Sequence, residues 1–295
     1  MAWHDLSNHA DVAGEGSAQG ASFDSAAGEY DSIFTSTSLG RWMRDQVWVR
    51  LSENFRPGMR ILDLGCGTGE DAVWLAKQGV GVVATDVSRA MLGVARDKAT
   101  RAGVGDQIEW RALDLTRIDP SESNSAGMSK GEGSESDTSA PRFDGALSNF
   151  GGLNCVADLN QVARFVGSSV RPGGRVVLVI MGPWCPWEIA WHAFHGQFRD
   201  ALRRMRRGGI DAMVSGQPMH VWYPPPGRIC KVFAPWFRHL GTFGIGALLP
   251  PPYLGHLVTR RPRVFTRLSA AERRVYGWWP LNRLNDHYLI EFERK

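Results

Sequence analysis

The sequence has no apolar run long enough to cross a bilayer, and its N-terminus lacks the charged-then-apolar order of a signal peptide. Its hydrophobic content is 43% over 295 residues, which is ordinary for a globular protein and enough to bury a full core. We therefore expect one elaborated domain rather than two, without a transmembrane segment and located in the cytoplasm.

Cysteine is scarce, and no two cysteines form a CxxC pair. The pattern therefore suggests neither a zinc site nor a disulfide framework. We expect no metal, and we expect reduced, mostly buried thiols. The four cysteines are Cys66, Cys155, Cys185 and Cys230.

Neither sign of charge dominates, since the formal net charge is only +4. The distribution is uneven, however. Residues 182–295 carry 17 Lys and Arg against 7 Asp and Glu, and the preceding residues carry 17 against 23. A basic C-terminal half could attract an anionic substrate, nucleic acid or lipid head groups, or it could be an ordinary solvated surface.

A glycine-rich turn stands out in the first half of the chain. Residues 61–71 read ILDLGCGTGED, an apolar run followed by Gly65, Gly67 and Gly69 and then by two acids. The apolar run is typical of a buried parallel strand, and the residues after the turn have helical spacing. Glycines at such a turn let a ligand approach the main chain closely.

The acids after this turn argue against a phosphate ligand. A dinucleotide site would space its glycines as GxGxxG and place a pyrophosphate at the helix N-terminus, where Glu70 and Asp71 would repel it. A ligand that has a positive charge and no phosphate fits better, and S-adenosylmethionine is such a ligand. The stretch resembles the first motif of the class I (Rossmann-like) S-adenosylmethionine-dependent methyltransferases. That resemblance implies that Asp63 lies close to the amino-acid end of the cofactor.

The second predicted strand, residues 81–86, also ends in an acid. An acid about twenty residues beyond the glycines binds a ribose hydroxyl pair in dinucleotide sites, and the same geometry serves any adenosine ligand. Asp86, followed by Val87, is therefore the candidate for the ribose. The alternative is that Asp86 caps the next helix.

The third predicted strand, residues 108–113, is followed by an acid as well. The methyltransferase resemblance implies that Leu113 and Asp114 meet the adenine amino group. After the fourth predicted strand, residues 143–148, come Asn149 and Phe150, where open α/β sheets deliver residues to a ligand.

The alternation of strands and helices predicts an α/β fold with a doubly wound, mostly parallel sheet. The resemblance implies seven strands with an antiparallel last strand, and the runs at 240–245 and 288–292 supply the closing hairpin. The predicted organisation is a flexible N-terminal arm at 1–22 and a single methyltransferase domain at 23–295, with a disordered insertion at 121–140, a cap insertion at 183–227 and an insertion in the closing hairpin at 247–286.

The predicted cap is rich in aromatic residues. An apolar stripe from Trp187 to Met205 predicts one long amphipathic helix starting near Pro186. Aromatic residues there could select a flat or greasy acceptor, although core packing explains them equally well. The candidate acceptor-binding residues are Trp184, Trp187, Trp191, Trp222 and Tyr223.

Methyl transfer requires alignment of the acceptor with the methyl group, and a general base adds to the rate when the acceptor is a hydroxyl. Three histidines are candidates for that base, namely His192, His195 and His220. In addition, the segment around Tyr30 resembles one that folds over the cofactor in related enzymes, and Arg41 could meet the cofactor carboxylate.

These residues indicate methyl transfer to an oxygen or nitrogen atom of a small aromatic or lipophilic molecule. One alternative is an RNA or DNA methyltransferase. The SNFGG run after the fourth strand argues against it, because enzymes acting on a flipped base carry an Asn or Asp, two prolines and an aromatic there. Another alternative is a protein that binds the cofactor as a sensor or partner subunit without catalysis.

Overall fold

The computed structural model describes residues 18–118, 143–214 and 217–295. Strands within these residues are β1 (Arg60–Leu64), β2 (Gly81–Asp86), β3 (Ile108–Ala112), β4 (Phe143–Ser148), β5 (Val170–Met181), β6 (Ile210–Val214), β7 (Gln217–Val221), β8 (Phe237–Ile245) and β9 (His287–Arg294). The helices are α1 (Ala18–Ala26), α2 (Ser38–Asn54), α3 (Glu70–Lys77), α4 (Arg89–Arg101), α5 (Leu159–Ser169), α6 (Pro186–Phe194), α7 (Phe198–Ala201), α8 (Pro226–Phe233), α9 (Gly255–Arg260) and α10 (Pro262–Val275).

Seven strands form one sheet in the order β3-β2-β1-β4-β5-β9-β8. Neighbouring strands from β3 to β5 pair in parallel, and β9 is antiparallel to both β5 and β8. The predicted fold class is therefore confirmed. The strand order reverses between β1 and β4, and a crevice opens at such a point beside the carboxyl ends of the strands.

Helices cover both faces of this sheet. On one face α2 buries Leu39, Met43, Val47 and Leu51, a spacing of four residues that keeps one side of the helix against the sheet. The same periodicity, read from the sequence alone, predicts a helix from about Ser38 to Asn54, and these are the bounds of α2. On the other face α5 and α8 pack against the sheet, for example through Val162.

The predicted long helix beyond Pro186 is wrong. Gly196 adopts a φ of +73°, which ends α6 and separates it from α7. The predicted stripe is not buried either, because Phe194 is 89% exposed and Phe198 is 67% exposed. Apolar periodicity alone did not account for the left-handed residue, which interrupts the helical backbone.

The same region contains a hairpin that the sequence reading missed. Strands β6 and β7 pair antiparallel and pack against Ala26 and Ala27 at the end of α1 and against Met91 of α4. Helix α1 is held in place from the other side as well, because Asp24 accepts hydrogen bonds from the Ser88 hydroxyl and from the backbone N–H of Ala90.

Some predictions fall outside the described residues. The predicted disordered insertion at 121–140 lies there entirely, as does most of the predicted arm at 1–22, whose last residues belong to α1. Among the described residues, no helix is long and apolar enough to cross a membrane. No group of three or more His, Cys, Asp or Glu residues in that part of the chain could hold a metal ion. All four cysteines are described, and no disulfide joins them.

Candidate active site

A cleft enclosing about 950 Å³, partly open to solvent, lies at the carboxyl ends of β1, β2 and β4. Four acids and one arginine are among its lining residues. The residues that line it are Phe23, Tyr30, Arg44, Gly65, Cys66, Gly67, Thr68, Glu70, Asp71, Asp86, Val87, Met91, Leu113, Asp114, Leu115, Asn149, Phe150, Gly151, Gly152, Cys155 and Val156.

The glycine turn forms one wall of this cleft. Gly65 has a φ of +73°, so the turn needs a residue that tolerates the left-handed region there, and the Cα of Gly152 lies against it, 3.4 Å from where a Cβ would stand. Gly69 has a different role, because it does not line the cleft and its added Cβ would lie 2.7 Å from that of Ala95. It allows the start of α3 to pack closely on α4.

Asp86 stands at the end of β2, facing the glycine turn. One carboxylate oxygen accepts a hydrogen bond of 2.8 Å from the backbone N–H of Gly67, and the other accepts one of 2.9 Å from that of Ser88. Burial raises the pKa of Asp86 despite these bonds. Each oxygen has a second lone pair that a ligand hydroxyl can use. Asp86 thus braces the turn and faces the cleft.

Asp63 is buried behind the glycine turn and is not among the cleft-lining residues. Its Oδ2 has no hydrogen-bond partner within the described part of the chain. Burial, followed by the nearby charges of Asp71 and Asp86, raises the pKa of Asp63 well above its usual range. A cation bound in the cleft would favour the ionised carboxylate, whereas a phosphate would oppose it.

The single arginine of the cleft is already neutralised. Arg44 of α2 donates a hydrogen bond of 2.5 Å to Asp71, which also accepts bonds from Trp48 Nε1 and Asn149 Nδ2. The guanidinium lies 5.0 Å from the ring centre of Phe150. The cleft therefore retains an acidic character even though it contains a cation.

A second pocket of about 520 Å³ adjoins the cleft and shares Tyr30 and Phe150 with it. Phe150 has a φ of +47°, which is unusual for a residue with a side chain and typical of strained positions at functional sites. The lining is mostly aromatic rings and prolines with a few polar groups. It consists of Tyr30, Phe34, Phe150, Met181, Arg204, Pro251, Pro252, Tyr253, Asp286 and His287.

Comparisons with known proteins agree with this architecture. Residues 61–130 match a family model described as a methyltransferase domain. Together with the fold, this match supports a class I S-adenosylmethionine-dependent methyltransferase.

Two curated relatives are similar to this chain over part of their length. A demethylmenaquinone methyltransferase from Beutenbergia cavernae is 33% identical over 62% of this chain and 66% of the relative. A 2-phytyl-1,4-naphtoquinone methyltransferase from Synechococcus elongatus is 31% identical over 56% of this chain and 64% of the relative. The chain thus spans just under two thirds of each of them.

Solved structures share the fold. One is a 1,6-didemethyltoxoflavin-N1-methyltransferase from Burkholderia thailandensis, solved with 1,6-didemethyltoxoflavin and S-adenosylhomocysteine bound. It has a TM-score of 0.53 at 18% identity and covers 99% of this chain and 94% of that one. The CcbJ methyltransferase from Streptomyces caelestis has a TM-score of 0.55 at 14% identity, covering 92% and 97%. At such identities the likeness extends to the fold alone.

The structure brings most of the predicted cofactor residues to the cleft. Three of the predicted residues do not line it, namely Arg41, Asp63 and Gly69. Arg41 is exposed on the outer side of α2, and Arg44, one helical turn further on, lines the cleft instead. The predicted residues that do line the cleft are Tyr30, Gly65, Gly67, Asp86, Val87, Leu113, Asp114, Asn149 and Phe150.

The three histidines predicted as bases line neither pocket. His195 is exposed and bonds to the carbonyl of Trp191, and His192 faces Gln197. His220 lies on β7, where it contacts Asp211 and the carbonyl of Gly208. The histidine that does line the second pocket is His287, which sequence reasoning missed because no motif marks the start of β9.

The predicted acceptor-binding aromatics also line neither of the two pockets. Trp184 is 47% exposed, and Trp222 lies next to the ring of His220. The rings of Trp187 and Trp191 pack on Phe265 and His256 respectively. Tyr223 is buried beneath the guanidinium of Arg204. In their place, Tyr253 and the prolines before it line the second pocket, from the predicted insertion in the closing hairpin.

Proposed function

We propose that the protein transfers a methyl group from S-adenosylmethionine to an oxygen or nitrogen atom of a small aromatic or lipophilic acceptor. The observation that carries this proposal is the acidic cleft at the glycine turn. Its lining acids outnumber its one arginine, which is itself paired with Asp71. Such a site favours a cationic adenosyl compound over a nucleotide phosphate.

The residues present suit this cofactor, which supplies a methyl group on a positively charged sulfur when bound. Asp86 would accept hydrogen bonds from the ribose hydroxyls, and Leu113 with Asp114 would border the adenine. The carboxyl group of Asp63, whose Oδ2 has no partner in the described chain and which has Gly65 and Gly67 in front of it, would favour the ammonium end. Tyr30 would close the cleft from the side of the second pocket.

The second pocket supports the enclosed acceptor that an enzyme needs. Its proline and aromatic lining suits a flat ring system, and it adjoins the cleft through Tyr30 and Phe150. The names of the two curated relatives, which refer to menaquinone and naphthoquinone, favour a quinone-like ring. A sensor that only bound the cofactor would not need this adjoining pocket.

Incubation of the protein with S-adenosylmethionine carrying a ¹³C-labelled methyl group and a small-molecule extract tests the proposal. We expect a labelled aromatic product whose methyl carbon has the NMR shift of a methoxy or N-methyl group. A methyl group attached to carbon would contradict the proposed acceptor atoms. Cofactor binding without any labelled product would instead favour the sensor, and labelled RNA or DNA would favour a nucleic-acid substrate.

A further inference from the structure

His287 occupies a position that suits contact with an acceptor. It begins β9, pairs with Met181 of β5, and is only 5% exposed. Its imidazole lies edge-on to Phe150, with ring centres 5.3 Å apart, and lines the second pocket. Since Phe150 lines both pockets, this imidazole lies beside the boundary between them.

A buried carboxylate lies next to this imidazole. Asp286 Oδ2 is 3.0 Å from His287 Nδ1, and both atoms are buried with no hydrogen-bond partner elsewhere in the described chain. The separation is within ion-pair range, and catalytic contacts of this kind often tighten only when the substrate complex forms.

Asp286 is itself held by residues of the predicted cap insertion at 183–227. Its other carboxylate oxygen accepts a bond of 2.7 Å from Arg204, and Arg204 is also held by Glu188 of α6. Burial opposes ionisation of Asp286, but Arg204 and then His287 hold its pKa below the usual range. An Asp286 that is ionised near neutral pH favours the tautomer of His287 that carries its proton on Nδ1, which leaves Nε2 as an acceptor.

We propose that the second pocket is the acceptor site and that His287 Nε2 removes the proton from a hydroxyl group on a flat aromatic acceptor. This assignment rests on the proposed methyl transfer and adds to it the acceptor class, a phenol or quinol, and the base. Asp286 is the positioning residue that orients the imidazole.

In the proposed step, each bond that breaks is matched by one that forms. The oxygen–hydrogen bond of the acceptor breaks, and its proton passes to Nε2 of His287. A bond forms between that oxygen and the methyl carbon while the methyl–sulfur bond breaks, and the electron pair of that bond stays on sulfur. The products are the methyl ether and S-adenosylhomocysteine, and the imidazolium then releases its proton to water.

The other titratable groups of the pocket do not suit this role. Burial, as the main cause, raises the pKa of Tyr30 to about 12, so its hydroxyl keeps its proton near neutral pH and does not serve as the base. Burial also raises the pKa of Tyr253. The remaining charged groups around the imidazole are Asp286 and Arg204, with Arg44 on the far side of Phe150.

The first test compares methylation of 1-naphthol, 2-naphthol and 1,4-dihydroxynaphthalene, the last under nitrogen, by wild type and by His287→Gln. We expect kcat/KM of the variant to fall by roughly a hundredfold or more near neutral pH. The loss should shrink at alkaline pH, where the naphthol ionises without help. His239→Gln, an exposed histidine on the adjacent strand β8, is the control and should retain the wild-type rate.

The second test does not depend on turnover. Calorimetry with S-adenosylhomocysteine present should detect 1-naphthol binding to wild type, and the NMR signals of the His287 imidazole should shift on binding. His287→Gln should keep wild-type affinity for S-adenosylmethionine, which would also show that it is folded.

Three outcomes would overturn the inference while leaving the proposed function in place. One is cofactor binding without transfer to any of the three naphthols. Another is an unchanged rate and pH profile in His287→Gln. The third is a loss confined to His192→Gln or His220→Gln. Failure of the wild type to bind S-adenosylmethionine at all would instead contradict the proposed function itself.

Discussion

At the scale of single residues, the carboxyl group of Asp86 offers the most direct test of the cleft. It braces the glycine turn through Gly67 and would hold two ribose hydroxyls. We expect Asp86→Ala to weaken S-adenosylmethionine binding by roughly 1.5 to 3 kcal/mol, which is about 10- to 150-fold in Kd. Calorimetry measures this loss, with the exposed Asp106→Ala as the control. Unchanged affinity in Asp86→Ala would show that the ligand binds elsewhere.

The buried carboxyl group of Asp63 predicts that protons are released when a cationic cofactor binds. Its pKa is raised by burial and by neighbouring carboxylates, so its folded form holds a proton over a wider pH range than an exposed acid does. A bound cation lowers that pKa, so binding should release protons and should strengthen as pH rises through the titration of Asp63. Calorimetry in buffers of different ionisation enthalpy measures the release. Asp63→Asn should abolish it, and an equal release in that variant would assign the protons to another group.

Residues at the ends of parallel strands could be predicted because topology brings those ends together. Asp86 and Asp114 reached the cleft in this way. His287 could not be predicted, because it enters the site through an antiparallel strand that follows a long insertion. Likewise Arg44 differs from Arg41 only by its position on α2, and helical spacing alone does not show which side turns toward the cleft.

At the scale of elements, the periodicity of α2 gave correct bounds, but that of α6 and α7 did not. The four-residue spacing of α2 coincides with true burial. A similar stripe begins in α6 and continues into α7. Between them lies Gly196, whose left-handed backbone ends the first helix. The pattern of side chains shows which residues are apolar, but the backbone conformation of a single glycine decides whether those residues belong to one helix.

A substitution at Gly196 measures how strongly the left-handed backbone there disfavours a side chain. A Cβ at Gly196 would meet no atom within 4 Å, so only the left-handed φ of +73° penalises a side chain there. We expect Gly196→Ala to lower the free energy of unfolding by roughly 1 to 2 kcal/mol, measured by urea denaturation. Gly227→Ala, in the first turn of α8 with equally open space, is the control and should be neutral or stabilising. Equal effects in the two variants would mean that the break after α6 does not depend on Gly196.

At the scale of the whole molecule, a buried ionic network joins the predicted cap insertion, residues 183–227, to the central sheet. Glu188 of α6 accepts hydrogen bonds from Arg203 and Arg204, and Arg204 also bonds to Asp286 before β9. The second pocket is thus lined by segments distant in sequence, and this network holds two of them together. A sequence pattern predicts elements, but such a junction depends on tertiary contacts between charges far apart in the chain.

The network also sets an expected dependence of stability on pH. Burial opposes ionisation of Glu188, but Arg204 and Arg203 lower its pKa, and the pKa of Asp286 is lowered as well. Depressed folded pKa values contribute stability above the unfolded values, about 4, and this contribution is lost as pH falls through the folded values. We therefore expect the Tm of wild type to decline below about pH 4.

Glu188→Gln separates this network from general acid effects. Removing one charge leaves two buried arginines with fewer partners, so we expect a loss of about 3 kcal/mol at neutral pH and a shallower decline of Tm toward acid. Glu53→Gln removes an exposed carboxylate paired with Arg50 and should cost less than about 1 kcal/mol. If both variants had the same Tm at neutral pH and the same acid profile, the network would not be what joins α6 to β9. The inserted region would then be held by its apolar contacts alone, as where Trp187 packs on Phe265.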